Sequence, residues 1–135
     1  MRYPLIEVEG IGPVLKASIE LRPLTVFIGP NNVGKSYVSI VIHALKNAIL
    51  EGTRQFYSSF LRKMYKKPSF SFRMINKEME KYLINEKAQN RLWKLCAVNL
   101  KNQLEHNFSA TIDEIINVNS DKLHISIKQR FFEGY

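Results

Sequence analysis

Eight consecutive residues, Gly29-Pro30-Asn31-Asn32-Val33-Gly34-Lys35-Ser36, bring together the groups needed to hold a phosphate. They match the pattern G-x-x-x-x-G-K-[ST] at every fixed position. Gly29 lets the chain turn sharply, and Gly34 lets the backbone come close to an oxygen. The N–H groups between them can converge into an anion nest, and a helix opening near Lys35 adds its positive dipole end. Lys35 supplies a flexible cation for β- and γ-phosphates, and Ser36 a hydroxyl for magnesium. At average residue frequencies the four fixed positions coincide by accident in about one chain of this size in a few hundred. The pattern is therefore read as a nucleotide site formed by Gly29, Asn31, Asn32, Val33, Gly34, Lys35, Ser36 and the adjoining Tyr37, with Ser36 as the magnesium ligand.

Such a loop must sit between a strand and a helix, and the flanking sequence offers both. Leu24-Thr25-Val26-Phe27-Ile28 is almost continuously apolar, the pattern of a strand covered on both faces in a parallel sheet. After the loop, Val38, Val41, Ile42, Leu45, Ala48 and Ile49 form a helical stripe, with Gly52 as its C-terminal stop. Upstream, residues 5–9 and 14–21 alternate apolar and polar around Gly10-Ile11-Gly12-Pro13, which predicts an antiparallel hairpin. Downstream, a long helical region spans about Ile75 to Glu105 with a break near Asn85 or Asn90. Thr111 and Glu114 form a capping box for a short helix over 111–118, and residues 122–132 alternate as a returning strand. The expected fold is α/β: a strand–loop–helix core of the P-loop type, a hairpin beside it and a helical insert. The expected organisation is one domain over 1–135, divided into 1–52, 53–107 and 108–135.

The run LTVFIGPNNVGKS, preceded by GIGPVLKASIEL, resembles the N-terminal part of ABC-type ATPases. More narrowly it is similar to the AAA-like group that includes RecF-like, SMC-like and OLD-type ATPases. The resemblance covers residues 5–50 specifically and is loose beyond. It implies ATP and Mg2+ as ligands, dimerisation with a second copy or a partner ATPase chain, and residues Asn31 to Ser36 around the phosphates. Relatives often carry Thr or a small residue where this chain has Tyr37. Hydrolysis in the group requires an apolar strand ending in Asp-Glu and a signature loop of the LSGGQ kind, and no such loop occurs here. The pair Asp113-Glu114 follows a poorly apolar run and fits a helix start better. Gln129 reads as an exposed polar residue rather than a γ-phosphate sensor. The chain thus resembles the first half of an ATPase head that binds nucleotide without efficient hydrolysis. The guanine-selecting N-K-x-D pattern is absent, and ATP is favoured by the resemblance.

Charge points to a second possibility. The 135 residues carry a net charge of +8. Twelve basic residues against three acidic ones lie between Arg54 and Gln103. Phe56, Tyr57, Phe60, Tyr65, Phe70 and Phe72 interleave with them, as in surfaces that stack single-stranded nucleic acid. The alternative, which we favour from sequence, is that these aromatics and Trp93 pack in a core while the charges stay solvated. The competing functions are therefore a nucleic-acid-binding module or an interaction subunit of a split ATPase. A single cysteine, Cys96, supports no disulfide framework and reads as buried filler. His43, His106 and His124 have no metal-ligand spacing. No apolar run reaches the ~18 residues of a membrane span, and the start lacks a signal-peptide pattern. A cytoplasmic location is expected.

Overall fold

The computed structural model of the protein describes residues 3–66, 77, 79–81, 84–117 and 123–128. Its elements are β1 (Leu5–Ile11), β2 (Val14–Glu20), α1 (Lys35–Tyr65), α2 (Glu86–Phe108), α3 (Ile112–Ile115) and β3 (His124–Lys128). They divide into two compact units, residues 1–42 with 107–135 and residues 43–106. The division falls inside α1, ten residues before the boundary expected at Gly52.

The first unit is built on a three-stranded antiparallel sheet of order β2-β1-β3. Period-two alternation sets its two faces. Ile6 lies opposite Ile19 and Ile127, and Val8 opposite Ala17 and Ile125, so one face is apolar. On the other, Glu7 lies between Ser18 and Ser126, and Glu9 between Lys16 and His124. The Glu9 carboxylate meets the Lys16 ammonium at 2.7 Å, which lowers the pKa of the acid and raises that of the base. A sheet with one wet face and one dry face suits antiparallel pairing. The predicted hairpin and returning strand form, with Val14 rather than Leu15 buried at the start of β2.

The strand expected over residues 24–28 does not form. Leu24, Val26 and Ile28 are 81%, 69% and 88% exposed, and the segment belongs to no sheet. An apolar run becomes a strand only where a neighbour supplies the ladder. Among the described residues none lies alongside it. Thr25 instead turns back on Arg22, its hydroxyl 3.2 Å from both the Arg22 N–H and the Arg22 carbonyl.

The second unit is a helix pair. On α1 the buried residues Ala44, Leu45, Ala48, Gly52, Phe56, Phe60 and Met64 keep one stripe at spacings of three and four. Gly52 was expected to end this helix, yet α1 continues to Tyr65. The stripe explains the difference: Thr53 to Tyr65 extend the same buried face, so burial outweighs the ~1 kcal/mol that glycine costs inside a helix. Gly52 marks the point where α2 comes closest. A Cβ there would lie 2.7 Å from Cys96 Sγ and 2.9 Å from the Cys96 nitrogen. The helices run antiparallel, Arg91 donating to Ser59 Oγ (3.1 Å) and Asn99 to Gln55 Oε1 (3.1 Å). Cys96 is buried as expected, and burial pushes its thiol pKa up. Trp93 was expected in the core and instead is 56% exposed, at the flank of the α2 face that buries Ala88 and Cys96.

The break near Asn85 is present: Asn85 Oδ1 accepts the Lys87 N–H at 2.9 Å and opens α2. Ser109, at φ 50°, closes it. Two residues later Thr111 starts α3, and Glu114 accepts both the Thr111 N–H (2.8 Å) and its hydroxyl (3.1 Å). These bonds hold the Glu114 pKa below its usual 4.5. The carboxylate is thus engaged in a helix cap, as the capping-box reading expected. Among the described residues no helix is long and apolar enough to cross a membrane.

Gly52→Ala should lower thermal stability by about 1–3 kcal/mol, because overpacking against the α2 backbone exceeds the propensity gain. Cys96→Ala should relieve only part of that loss. For Glu114 the folded pKa is depressed, so its contribution is present above the unfolded value of 4.5 and is lost as pH falls through the folded value. Denaturation midpoints below pH 4.5 should therefore fall less steeply for Glu114→Gln than for the parent.

Candidate functional site

The phosphate loop begins where the 24–28 segment ends and closes onto the first turn of α1. Its backbone carries the unusual torsions that the pattern demands: Gly29 at φ 147°, Asn32 at 63° and Gly34 at 97°. Asparagine is among the few side chains that accept this region, since its amide is short and polar. Val38 donates to the Gly34 carbonyl at 3.0 Å, the first helical bond. Among the described residues, the backbone N–H groups of Asn31 to Ser36 donate to no other protein group. A run of unpaired N–H groups at a helix start is the arrangement that attracts an anion.

Lys35 bends back over the loop. Its ammonium donates to the Gly29 carbonyl at 2.7 Å and to the Pro30 carbonyl. An ammonium has three donors. Two brace the loop and the third remains for an incoming oxygen. Ser39 Oγ donates to the Lys35 carbonyl at 3.0 Å and steadies the same turn. The Ser36 hydroxyl is exposed and has no protein partner among the described residues.

These groups line an open cleft of about 540 Å³, whose walls are Pro13, Asn31, Asn32, Gly34, Lys35, Ser36 and Tyr37. Six of the eight residues expected from sequence meet there. Gly29 and Val33 do not line it: Gly29 acts through its carbonyl on Lys35, and Val33 projects to solvent. Pro13 was not expected. The Gly-Pro turn was legible, but not its contact with a loop some twenty residues on.

That contact is what holds the loop. Gly34 presses on the hairpin turn, where an added Cβ would fall 2.2 Å from Val14 Cγ2. Gly12, at φ 48°, receives the Tyr37 ring so closely that a Cβ would lie 2.2 Å from Tyr37 Cε1. The other side of the Tyr37 ring contact is Phe108, with centroids 5.1 Å apart. The turn is fixed in its own right by the strip after α3. Gly12 donates to the Ile115 carbonyl (2.8 Å), Asn117 donates to Gly10 (2.9 Å), and the Asn117 amide donates to the Gly12 carbonyl. Ile11 and Ile116 form an antiparallel bridge. Tyr37, which departs from the small residue common in similar loops, thus serves as the wedge between hairpin turn and α2 end.

The other candidates separate from this cleft. Asp113 and Glu114 sit on α3, and neither lines it. Gln129, Phe70 and Phe72 lie outside the described residues. His43 lies 3.0 Å from the Asn47 amide within α1.

The second unit carries a different surface. Lys and Arg number thirteen against five acids in residues 43–106, and seven against seven in the remainder, so the second unit holds the full +8. Phe56, Phe60 and Met64 are buried, with Leu61 and Met79 packed against the latter two. Of the interleaved aromatics that are described, Tyr65 is exposed and Tyr57 half-buried. Arg54, Ser58, Arg62 and Lys63 line a shallow groove on α1. Arg54 is held by Glu51 through bonds of 2.7 and 3.0 Å.

Comparison of the chain with protein-family models, with curated proteins and with solved structures gave no match.

Proposed function

We propose that the protein binds a magnesium nucleotide, ATP by resemblance, through the loop Gly29 to Ser36. The observation that carries this reading is the conjunction at the loop: a run of unpaired N–H groups, a lysine braced on its own loop with one donor left, and an open cleft in front of both. Each element alone is common. Together they offer directed donors and a fixed cation to one phosphate chain.

Magnesium fits the donor set in a limited way. Ser36 Oγ can give one ligand, and phosphate oxygens and water would give the others, the usual division for this ion. The ion would neutralise phosphate charge at that position. Among the described residues no carboxylate lines the cleft to activate a water, and the reading is of binding without efficient turnover. A partner ATPase chain could supply the missing carboxylate, which is the split-ATPase form of the same proposal.

A second reading, polyanion binding by the helical unit, rests on the concentration of the whole +8 there. Burial of Phe56 and Phe60 favours phosphate contact over base stacking as its mode.

Calorimetric titration with Mg-ATP should show binding by the parent, with no phosphate released. Lys35→Ala should weaken it by a factor on the order of a hundred, the loss of one or two charge-assisted bonds. Ser36→Ala should lower affinity only in the presence of magnesium. If Lys35→Ala binds as tightly as the parent, the loop is not the nucleotide site. Binding to an oligonucleotide that survives Lys35→Ala and falls steeply with salt would support the second reading instead.

A further inference from the structure

Among the described residues Asn117 is the one polar residue that is buried, at 7% exposed. A buried amide costs free energy unless its hydrogen-bonding groups are met, and an apolar side chain would fill the same space without that cost. Docking of the strip after α3 does not require it. Backbone groups already tie that strip to the hairpin turn. Gly12 donates to the Ile115 carbonyl at 2.8 Å, Asn117 N–H donates to the Gly10 carbonyl at 2.9 Å, and Ile11 and Ile116 form a bridge. What the side chain adds is a bond from its amide to the Gly12 carbonyl.

That carbonyl belongs to the peptide that joins Gly12 to Pro13. A peptide is planar, so holding its oxygen fixes the plane and the direction in which Pro13 leaves it. Pro13 has no N–H, so the plane offers no second hydrogen-bonding group by which it could be held. Pro13 is a wall of the cleft, and so is Tyr37. The Tyr37 ring takes the space of the side chain that Gly12 lacks, with Cε1 2.2 Å from where a Cβ would lie. Gly12 therefore has its N–H, its carbonyl and its α-carbon each committed, and two walls of the cleft meet on it.

We propose that Asn117 is a positioning residue for the nucleotide cleft: through the Gly12 carbonyl, its amide sets the plane that carries Pro13 and the seat that receives Tyr37. The inference rests on the nucleotide reading and adds to it a residue that does not itself line the cleft. Asn117 acts on a bound nucleotide only through Pro13 and Tyr37.

Calorimetric titration of the full chain with Mg-ATP tests it, on the parent, Asn117→Leu, Tyr37→Ala and the double variant. Each is titrated at a temperature where circular dichroism shows it fully folded, so that affinity reports the cleft and not the folded fraction. Asn117→Leu keeps the volume and removes the donor. It should weaken binding about ten-fold, the equivalent of one lost hydrogen bond. Because both residues act through Gly12, the losses should not add. In the Tyr37→Ala background Asn117→Leu should cost no more than about two-fold further. Asn117→Asp supplies a second readout, and stands in if Asn117→Leu does not fold. Its carboxylate opposes the Gly12 carbonyl, whereas the protonated carboxyl can donate to it. Its affinity relative to the parent should recover as pH falls through the carboxyl pKa, which burial raises above the usual value of about 3.9. Equal affinity of Asn117→Leu and the parent, additive losses in the double variant, or a relative affinity of Asn117→Asp that ignores pH would each overturn the inference and leave the nucleotide reading standing. A parent that binds no Mg-ATP would remove both.

Discussion

The arrangement of the phosphate loop depends on a close approach between two turns. Gly34 of the loop lies on Val14 of the hairpin, and Tyr37 of the first helical turn lies on Gly12. Neither approach leaves room for a β-carbon, so the loop is seated by the absence of two side chains rather than by added contacts. The hairpin turn is itself immobilised by the strip after α3 through bonds to Gly10 and Gly12. Support therefore passes from the Thr111–Glu114 cap, through the α3 strip and the hairpin turn, to the nest of N–H groups. Under the proposed reading such a nest would matter, because donors that are already aimed need no rearrangement on binding an anion.

The loop has a different relation to the residues before it. In a loop of this kind the preceding strand would anchor the first glycine within a sheet. Here Leu24, Val26 and Ile28 are exposed and the segment pairs with no strand among the described residues, and the first glycine is held by Lys35 through its carbonyl. The lysine thus has two roles in one side chain: it braces the start of the loop and offers its remaining donor to the cleft. The unpaired segment and the braced loop are two sides of one fact, that the backbone hydrogen bonds of a strand must come from somewhere.

The two units differ in what they offer. One is electroneutral and contains the cleft and the unpaired segment. The other is a basic helix pair whose aromatics Phe56 and Phe60 turn inward. Hydrophobic burial, not ligand contact, accounts for those rings, and the charges around them remain at the surface.

The sequence by itself determined the features whose cause is local. The hairpin, the short capped helix, the break at Asn85 and the returning strand follow from alternation, capping residues and turn residues acting over a few positions. The loop torsions follow from Gly29, Asn32 and Gly34. Tertiary structure decided what depended on a neighbour. Leu24–Ile28 has a strand composition but no partner among the described residues to complete it. Gly52 looks like a stop, yet α2 approaches there and the buried stripe continues. Trp93 has a core composition but lies at the flank of the buried face and stays 56% exposed. Pro13 joins the cleft because two turns distant in sequence meet. In each case the residue type allowed more than one role, and the packing or pairing partner chose between them.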